Sequence, residues 1–356
     1  MKIVLVHDWL INIGGAERVL IELHKIFPQA PIYVLFYDEK FVKEFIPEAE
    51  IRTSPLQKIP FVFKIYRFLA FLMPSAVESL DLSEFEVVIS SSVVFSKGLV
   101  LKPKTKHICY CYSPTRFLWD RNIEYENKSF LSYIYRHFLR IWDRQASDRV
   151  DEFVAISKNV QNRIKKYYRR DSKIIYPPLT LSNIVREKTV NNPNFYLIVS
   201  RLVPHKNIDI VIDVFNKLGY ELIIVGSGSH KNYLTKKAKK NIKFVGYKDD
   251  NEIARYYQDC KAFIMPQEED FGVTPLEAMA FGKPVIALKQ GGATETILEG
   301  VTGEFFDDPI PEALADGIRR LNENYSSYNP DTIRKHVQKF SRDKFKKEML
   351  KLISCD

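Results

Sequence analysis

Four side chains in the second half of this sequence could share one piece of chemistry. Glu269 and Glu277 flank a Phe-Gly turn in the stretch Gln267-Glu-Glu-Asp-Phe-Gly-Val-Thr-Pro-Leu-Glu-Ala-Met-Ala280, with seven residues between them. A carboxylate accepts hydrogen bonds from hydroxyls, as on a ribose or a hexose, but it cannot hold a phosphate. Phosphate would fall to the amides at the start of the helix predicted from Pro275, because the first turn of a helix has unpaired N–H groups. Upstream, Arg201 and Lys206 lie five residues apart in Ser200-Arg-Leu-Val-Pro-His-Lys206. Arg forks onto two oxygens and Lys adds a point charge, so the two suit a diphosphate. Plainer readings stand beside these. The helix dipole favours acidic residues at any helix start, and exposed cations are common.

These residues need elements to place them. Phe195-Tyr-Leu-Ile-Val-Ser200 and Ala262-Phe-Ile-Met265 read as buried strands that run straight into Arg201 and Gln267. Further strands are predicted at Glu221–Val225, Ile242–Gly246 and Pro284–Ala287, with helices over Asn207–Leu218 and Glu252–Asp259. Gly226-Ser-Gly-Ser229 reads as a turn where a ligand or backbone comes close, and Gly246-Tyr-Lys-Asp-Asp250 as a strand-end loop suited to a nucleobase edge. The first half alternates in the same way, with strands at Lys2–Val6, Ile32–Phe36, Val87–Ser92, His107–Tyr112 and Phe153–Ser157. A basic helix follows over Lys158–Arg170. Gly14-Gly15 opens a segment with apolar residues at 16, 19, 20 and 23, the spacing of an amphipathic helix. Strand, glycine turn and helix at the start is the pattern of a doubly wound sheet, whose ligands sit beyond the carboxyl ends of the strands. The Gly-x-Gly-x-x-Gly fingerprint is absent, which disfavours a nicotinamide cofactor.

Pro177-Pro178 suits neither a helix nor a strand interior. It divides the chain into a domain over 1–176 and a domain over 177–340, with a final helix in 341–356 that could cross back to the first. The expected fold is α/β: two doubly wound Rossmann-like domains facing each other across a cleft.

Composition narrows the class. With 46% hydrophobic and 27% charged residues, 356 residues suffice for about two ordinary globular domains. The net charge of +9 is uneven: residues 101–250 hold 29 Lys and Arg against 14 Asp and Glu, a surplus of 15. That implies anionic partners such as nucleotide, phospholipid or nucleic acid. No nucleic-acid module is recognisable, so the first two are preferred. Met1–Val6 is too short an apolar run for a secretory signal, and no run reaches the roughly 18 residues of a spanning helix. Four cysteines, Cys109, Cys111, Cys260 and Cys355, suggest neither a zinc site nor a disulfide framework. A reducing cytoplasm is the expected setting. The basic, aromatic-rich segments 58–76 and Phe130–Arg144 would suit a membrane interface or, more plainly, the cover of a core.

The sequence resembles the GT-B glycosyltransferases of the large retaining family 4. The residues that carry the resemblance are Gly14-Gly15, Ile156-Ser-Lys158, Tyr176-Pro-Pro178, Arg201 with Lys206, Phe244-Val-Gly246, Glu269 through Ala280, Gly282-Lys-Pro-Val285 and Gly291-Gly292. They span nearly the whole chain in the family's order. The loop Tyr112-Ser-Pro-Thr-Arg-Phe-Leu-Trp-Asp120 further resembles mannosyl-type transferases that build O-antigen and capsular polysaccharides.

The resemblance implies roles. Arg201 and Lys206 would stabilise the departing diphosphate, and Glu269 would accept hydroxyls of the donor sugar. Amides of Gly272, Val273 and Thr274 would hold sugar and phosphate, and Glu277 the ribose hydroxyls. Gly14 and Gly15 would let backbone approach the donor diphosphate, and the Lys248 backbone would face the base. Asp249 or Asp250 could pair with guanine, which favours a GDP-linked over a UDP-linked donor. Tyr112, Arg116, Trp119 and Asp120 are the acceptor-side candidates, for a glycan or lipid-linked acceptor.

Many family members carry a His where Tyr112 stands; with a pKa near ~10, Tyr is a poor base near neutrality. His107, earlier on the same strand, reads as structural. No Asp-x-Asp occurs, so no metal and no cofactor are expected. The implied activity is transfer of a hexose, mannose from GDP-mannose, by a cytoplasmic enzyme at the inner face of the membrane. The alternatives are a UDP-sugar enzyme of the same family and a protein that binds sugar nucleotides without catalysis.

Overall fold

The computed structural model describes residues 1–120, 130–181 and 194–354, and Cys355 lies outside them. Contacts divide the chain into two compact units. Unit 1 comprises Met1–Pro178 and Arg342–Asp356; unit 2 comprises Leu179–Ser341.

In unit 1 the strands are β1 (Ile3–Leu10), β2 (Ile32–Tyr37), β3 (Ile51–Thr53), β4 (Val87–Ser92), β5 (Lys106–Cys111), β6 (Glu152–Ala155) and β7 (Ser172–Ile174). They form one parallel sheet in the order β3-β2-β1-β4-β5-β6-β7. The central strands are apolar almost throughout, because helices cover both faces of such a sheet. Winding reverses between β1 and β4, where His7 pairs with Ser91. The helix Gly15–Ile26 follows β1, with Gly14 as its N-cap and Val19, Leu20 and Leu23 buried. The C-terminal helix Arg342–Ser354 belongs to this unit: Phe345 meets the Tyr110 ring edge-on at 5.8 Å, and Arg342 reaches Glu22 at 3.4 Å.

In unit 2 the strands are β8 (Phe195–Val199), β9 (Glu221–Val225), β10 (Ile242–Gly246), β11 (Ala262–Met265), β12 (Val285–Leu288) and β13 (Gly303–Phe306). They too are parallel, in the order β10-β9-β8-β11-β12-β13, and winding reverses between β8 and β11.

Several elements differ from expectation. β3, β7 and β13 are three or four residues long, too short for an apolar run to announce. The basic helix after β6 is α-helical only over Lys158–Arg163, widens over Ile164–Tyr168 and stops at Arg169, whose φ is +55°. The strand expected through Ser157 ends at Ala155, and the Ser157 hydroxyl instead caps that helix by accepting the Val160 amide at 3.1 Å.

Candidate functional site

In an open parallel sheet, ligands bind outside the carboxyl ends of the strands where winding reverses. In unit 2 that point lies between the loops leaving β8 and β11. Arg201 is exposed just past the end of β8. The loop closes in a tight turn over Pro204–Lys206, with the Lys206 amide donating to Val203 at 3.1 Å. Asn207 then takes a left-handed conformation (φ +51°), and its side-chain amide donates to the carbonyl of Pro266 at 3.2 Å, tying the two loops together.

The second tie is ionic. The ammonium of Lys206, a buried residue, donates to Oε1 of Glu269. Gln267 Nε2 donates to the same oxygen at 2.9 Å. A lysine buried without a counter-charge would be costly, so the pair explains how Lys206 can sit here charged. Gln267 is a site residue to which the sequence alone assigns no role. It lies two residues past the end of β11 and two before Glu269.

Two glycine turns press the loops into place. A β-carbon at Gly226 would overlap the carbonyl of Ser200, and one at Gly292 would overlap the Phe271 backbone. The Gly292 amide donates to the Glu269 carbonyl at 2.8 Å. The close approach allowed by Gly226-Ser-Gly-Ser229 is therefore one of backbone to backbone, behind the Arg201 loop.

Beyond Glu269 the chain turns at Gly272 (φ +85°) into the helix Val273–Ala280, whose N-cap supplies no side-chain hydrogen bond. The amides of Gly272, Val273 and Thr274 thus sit at a helix N-terminus, a few residues past the Glu269 that holds Lys206, and a helix N-terminus attracts anions. Glu277 is one turn further on and buried; its Oε2 accepts from the Tyr257 hydroxyl at 2.9 Å. Tyr257 comes from the helix Asp250–Asp259 and carries no signal in the sequence.

The loop after β10 is differently occupied. Asp249 caps the helix Asp250–Asp259 by accepting the Glu252 amide at 2.9 Å, and Glu252 reaches back to the Asp249 amide in a capping box. Lys248 pairs with Glu252 at 2.7 Å. Asp250 is the first residue of the helix.

In unit 1 the reversal point is lined by Gly14, Gly15 and a buried polar chain. His7 Nδ1 lies 2.8 Å from the Ser91 carbonyl and 3.1 Å from its hydroxyl. His7 Nε2 faces Glu17 at 3.6 Å. The Ser91 hydroxyl is 2.9 Å from the Tyr112 hydroxyl, which donates to the Ala16 carbonyl at 3.0 Å. Burial pulls the His7 pKa down, but the hydrogen bond and charge of Glu17 outweigh it and the net shift is upward. Burial drives Tyr112 well above the usual phenol range, so it is a hydrogen-bonding group here and no base. Asp8, next in β1, accepts four amides of the loop after β4, from Val93 to Ser96, at 2.6–3.0 Å. His107 is buried against Ser90 at 2.8 Å, and burial pushes it down to about 4.

The acceptor-side candidates divide. Trp119 stacks on Tyr167 at 5.2 Å and donates to Asp143 at 2.8 Å. Asp120 pairs with Arg163 at 2.9 Å. Asp143 also accepts from Thr115 at 2.6 Å and from buried Lys97 at 2.6 Å. Trp119 and Asp120 therefore hold the loop's shape. Arg116, between them and Tyr112, is half-buried. Among the described residues no cluster of His, Cys, Asp and Glu suits a metal ion, and no helix is long and apolar enough to cross a membrane.

Comparison with known proteins adds family and fold. Residues 13–183 match the family described as Glycosyltransferase Family 4, and residues 182–345 match Glycosyl transferases group 1. An uncharacterized glycosyltransferase of Methanocaldococcus jannaschii is 24% identical over 97% of this chain and 95% of its own length. The alpha-1,3/1,6-mannosyltransferase ALG2 of Candida glabrata is 25% identical over 96% of this chain and 90% of its own. Among solved structures, HepE of Anabaena in complex with UDP-glucose superposes with a TM-score of 0.73 at 19% identity, covering 99% of this chain and all of that one. That likeness shows the fold: the paired Rossmann-like domains of GT-B.

Proposed function

The chain belongs to glycosyltransferase family 4, the group 1 glycosyltransferases, and from that premise we propose that it is a retaining hexosyltransferase that moves mannose from GDP-mannose to a glycan or lipid-linked acceptor. The observation that carries this reading is the ion pair of Glu269 with Lys206, on the loop that also bears Arg201, at the winding reversal of unit 2. It puts a carboxylate for sugar hydroxyls next to a cation for a diphosphate, shortly before a helix whose N-cap is a glycine.

In the proposed reaction the bond from the anomeric carbon to the β-phosphate oxygen breaks as the acceptor oxygen approaches on the same face. The departing phosphate takes the acceptor's proton, and configuration is retained. Arg201 and Lys206 offset the charge that grows on the leaving oxygen, and charge preorganised in this way often supplies most of an enzyme's rate enhancement. Glu269 holds the sugar and, through its ion pair with Lys206, keeps the ammonium aimed. Glu277, oriented by Tyr257, takes the ribose. A double displacement would instead need a carboxylate nucleophile, for which Glu269 is the candidate.

Mannose is supported by the ALG2 likeness over nearly the whole chain, and a polysaccharide or lipid-linked acceptor by the Tyr112–Asp120 loop. A UDP-linked donor is the second reading, favoured by the HepE complex and by the commitment of the Asp249 carboxylate to its cap. Incubation with GDP-mannose and a prenyl-diphosphate-linked sugar, in buffer containing EDTA, tests the proposal. It predicts an α-mannosyl product and free GDP. A β-linked product, or an adduct trapped on Glu269, contradicts the mechanism.

A further inference from the structure

Unit 1 displays large aromatic rings to solvent in two places. On the segment after β3, Phe68 is 83% exposed, Phe61 66% and Phe71 59%; on the helix Phe130–Asp148, Phe138 is 64% exposed. These are not stray surface residues. The inward side chains of the segment (Val62, Tyr66, Leu69) and of the helix (Tyr135, Leu139, Trp142) pack into one hydrophobic cluster over the sheet. Both elements are therefore apolar on two faces, one spent on the core and one turned outward. On the helix the outward line is Ile134, Phe138 and Ile141, at helical spacing. Phe61 is held at φ +57°, a left-handed conformation that costs a non-glycine residue energy, with most of its ring outside the fold.

Within the two segments the charges have one sign. Residues 51–77 contain no Asp or Glu, and neither do residues 130–142. Arg52, Lys58, Lys64 and Arg67 punctuate the first stretch, Arg136 and Arg140 the second. Lys64 lies over the outward Phe61 ring at 5.4 Å, and Lys64 and Arg67 are both exposed beside Phe68, so cations and rings share one surface. A second copy meeting it through the same face would bring like charges together, which disfavours symmetric self-association. Rings on segments that carry lysine and arginine and no carboxylate of their own match the boundary of an anionic bilayer. There aromatics enter the acyl edge while cations stay with the phosphates.

We propose that these two outward faces of unit 1 form a docking surface for an anionic phospholipid bilayer, which Phe61, Phe68, Phe71 and Phe138 enter. This deepens the proposed function and rests on it for its purpose, because a lipid-linked acceptor is met at such a surface. Its evidence is independent of that reading.

Co-sedimentation of the full chain with vesicles of phosphatidylcholine alone, and with about 30% phosphatidylglycerol added, tests it. The expected result is binding to the mixed vesicles at least ~10-fold stronger than to the neutral ones, weakened with salt. Phe68→Ser with Phe138→Ser should lower binding ~10-fold or more, and Lys64→Glu with Arg67→Glu should abolish the preference for anionic lipid. All these positions are on the surface, so each variant should fold and keep the nucleotide affinity of the parent. Failure of the parent to bind mixed vesicles overturns the proposal, as does binding that neither double variant changes. So does a concentration-dependent dimer that both variants disperse without any vesicle binding. Nucleotide binding without vesicle binding sinks the docking surface alone; vesicle binding without nucleotide binding sinks the proposed function alone.

Discussion

Lys206 and Glu269, sixty-three residues apart, form an ion pair where the winding of the second sheet reverses. The pair joins the loops of two adjacent strands, β8 and β11, so each partner fixes the other's position. Removing Glu269 should therefore damage chemistry more than nucleotide binding. Glu269→Ala is expected to lower kcat by ~10²-fold or more while the Kd for GDP, which lacks the sugar, changes less than ~3-fold. Lys206→Ala should lower kcat at least as much, and it also withdraws charge from the diphosphate. Steady-state kinetics with calorimetric titration would check both.

Glu277 should behave in the opposite way. Its carboxylate is buried and held by Tyr257 at 2.9 Å, and it is placed to take hydroxyls of the part of the donor that stays behind. Loss of a charged acceptor from such a site costs about 1.5–3 kcal/mol, roughly 10–150-fold. Glu277→Ala is expected to raise the Kd for GDP by that factor and to spare kcat at saturating donor. Tyr257→Phe should give a few-fold effect in the same direction. An equal loss of kcat in Glu269→Ala and Glu277→Ala would remove the division of labour between the two carboxylates.

Asp143 is the support of the Tyr112–Asp120 loop, accepting from Lys97, Thr115 and Trp119. Lys97 is almost wholly buried, so Asp143→Ala would leave its charge without a counter-ion. Breaking a buried pair this way costs about 3–5 kcal/mol. The expected result is a clear fall in Tm and a raised KM for acceptor, with donor KM unchanged. Denaturant unfolding and kinetics with varied acceptor would measure it.

Unit 1 should lose stability in mild acid. His107 is buried, and its pKa falls to about 4 from an ordinary value near 6.5. Between those values the unfolded chain binds a proton that the folded chain does not, so stability falls as pH drops from about 6.5 to about 4, by roughly 3 kcal/mol at most. His7 acts in the other direction. Its pKa is raised, so its contribution is complete below about 6.5 and is lost as pH climbs through the folded value. Urea unfolding at a series of pH values should show the acid loss in the parent and a flatter acid limb in His107→Asn.

Gly292→Ala checks the packing behind the site. Its β-carbon would overlap the Phe271 backbone, so the loop bearing Glu269 must move. Overpacking of this kind costs about 1–3 kcal/mol. The expected outcome is a lower Tm with a larger proportional loss of turnover.

Much of this fold is legible along the chain because its determinants are local. The apolar runs of the central strands are continuous, since a parallel sheet is buried on both faces, and each points to a loop beyond its carboxyl end. Arg201 and Gln267 can thus be placed at strand ends from the sequence. What escapes is short or non-local. β3 and β7 hold three residues each and owe their form to the neighbouring strand. The helices Pro311–Glu323 and Pro330–Val337 lie outside the expected elements, though each opens on a proline at its first position. Tyr257 meets Glu277 across twenty residues and Trp119 meets Asp143 across twenty-four, pairings that no spacing rule announces. The bonds of Trp119 to Asp143 and of Asp120 to Arg163 brace the acceptor-side loop, a support that the resemblance does not announce.

Everything proposed for the chemistry depends on the reversal point of unit 2 holding a nucleoside diphosphate through Arg201, Lys206 and Glu277. Isothermal titration of the full chain with GDP, UDP and ADP is the decisive measurement. GDP is expected to bind tightest, and Arg201→Ala to weaken it by ~10-fold or more. Much tighter binding of UDP would contradict the mannosyl assignment, and binding of none of the three would contradict the enzyme itself.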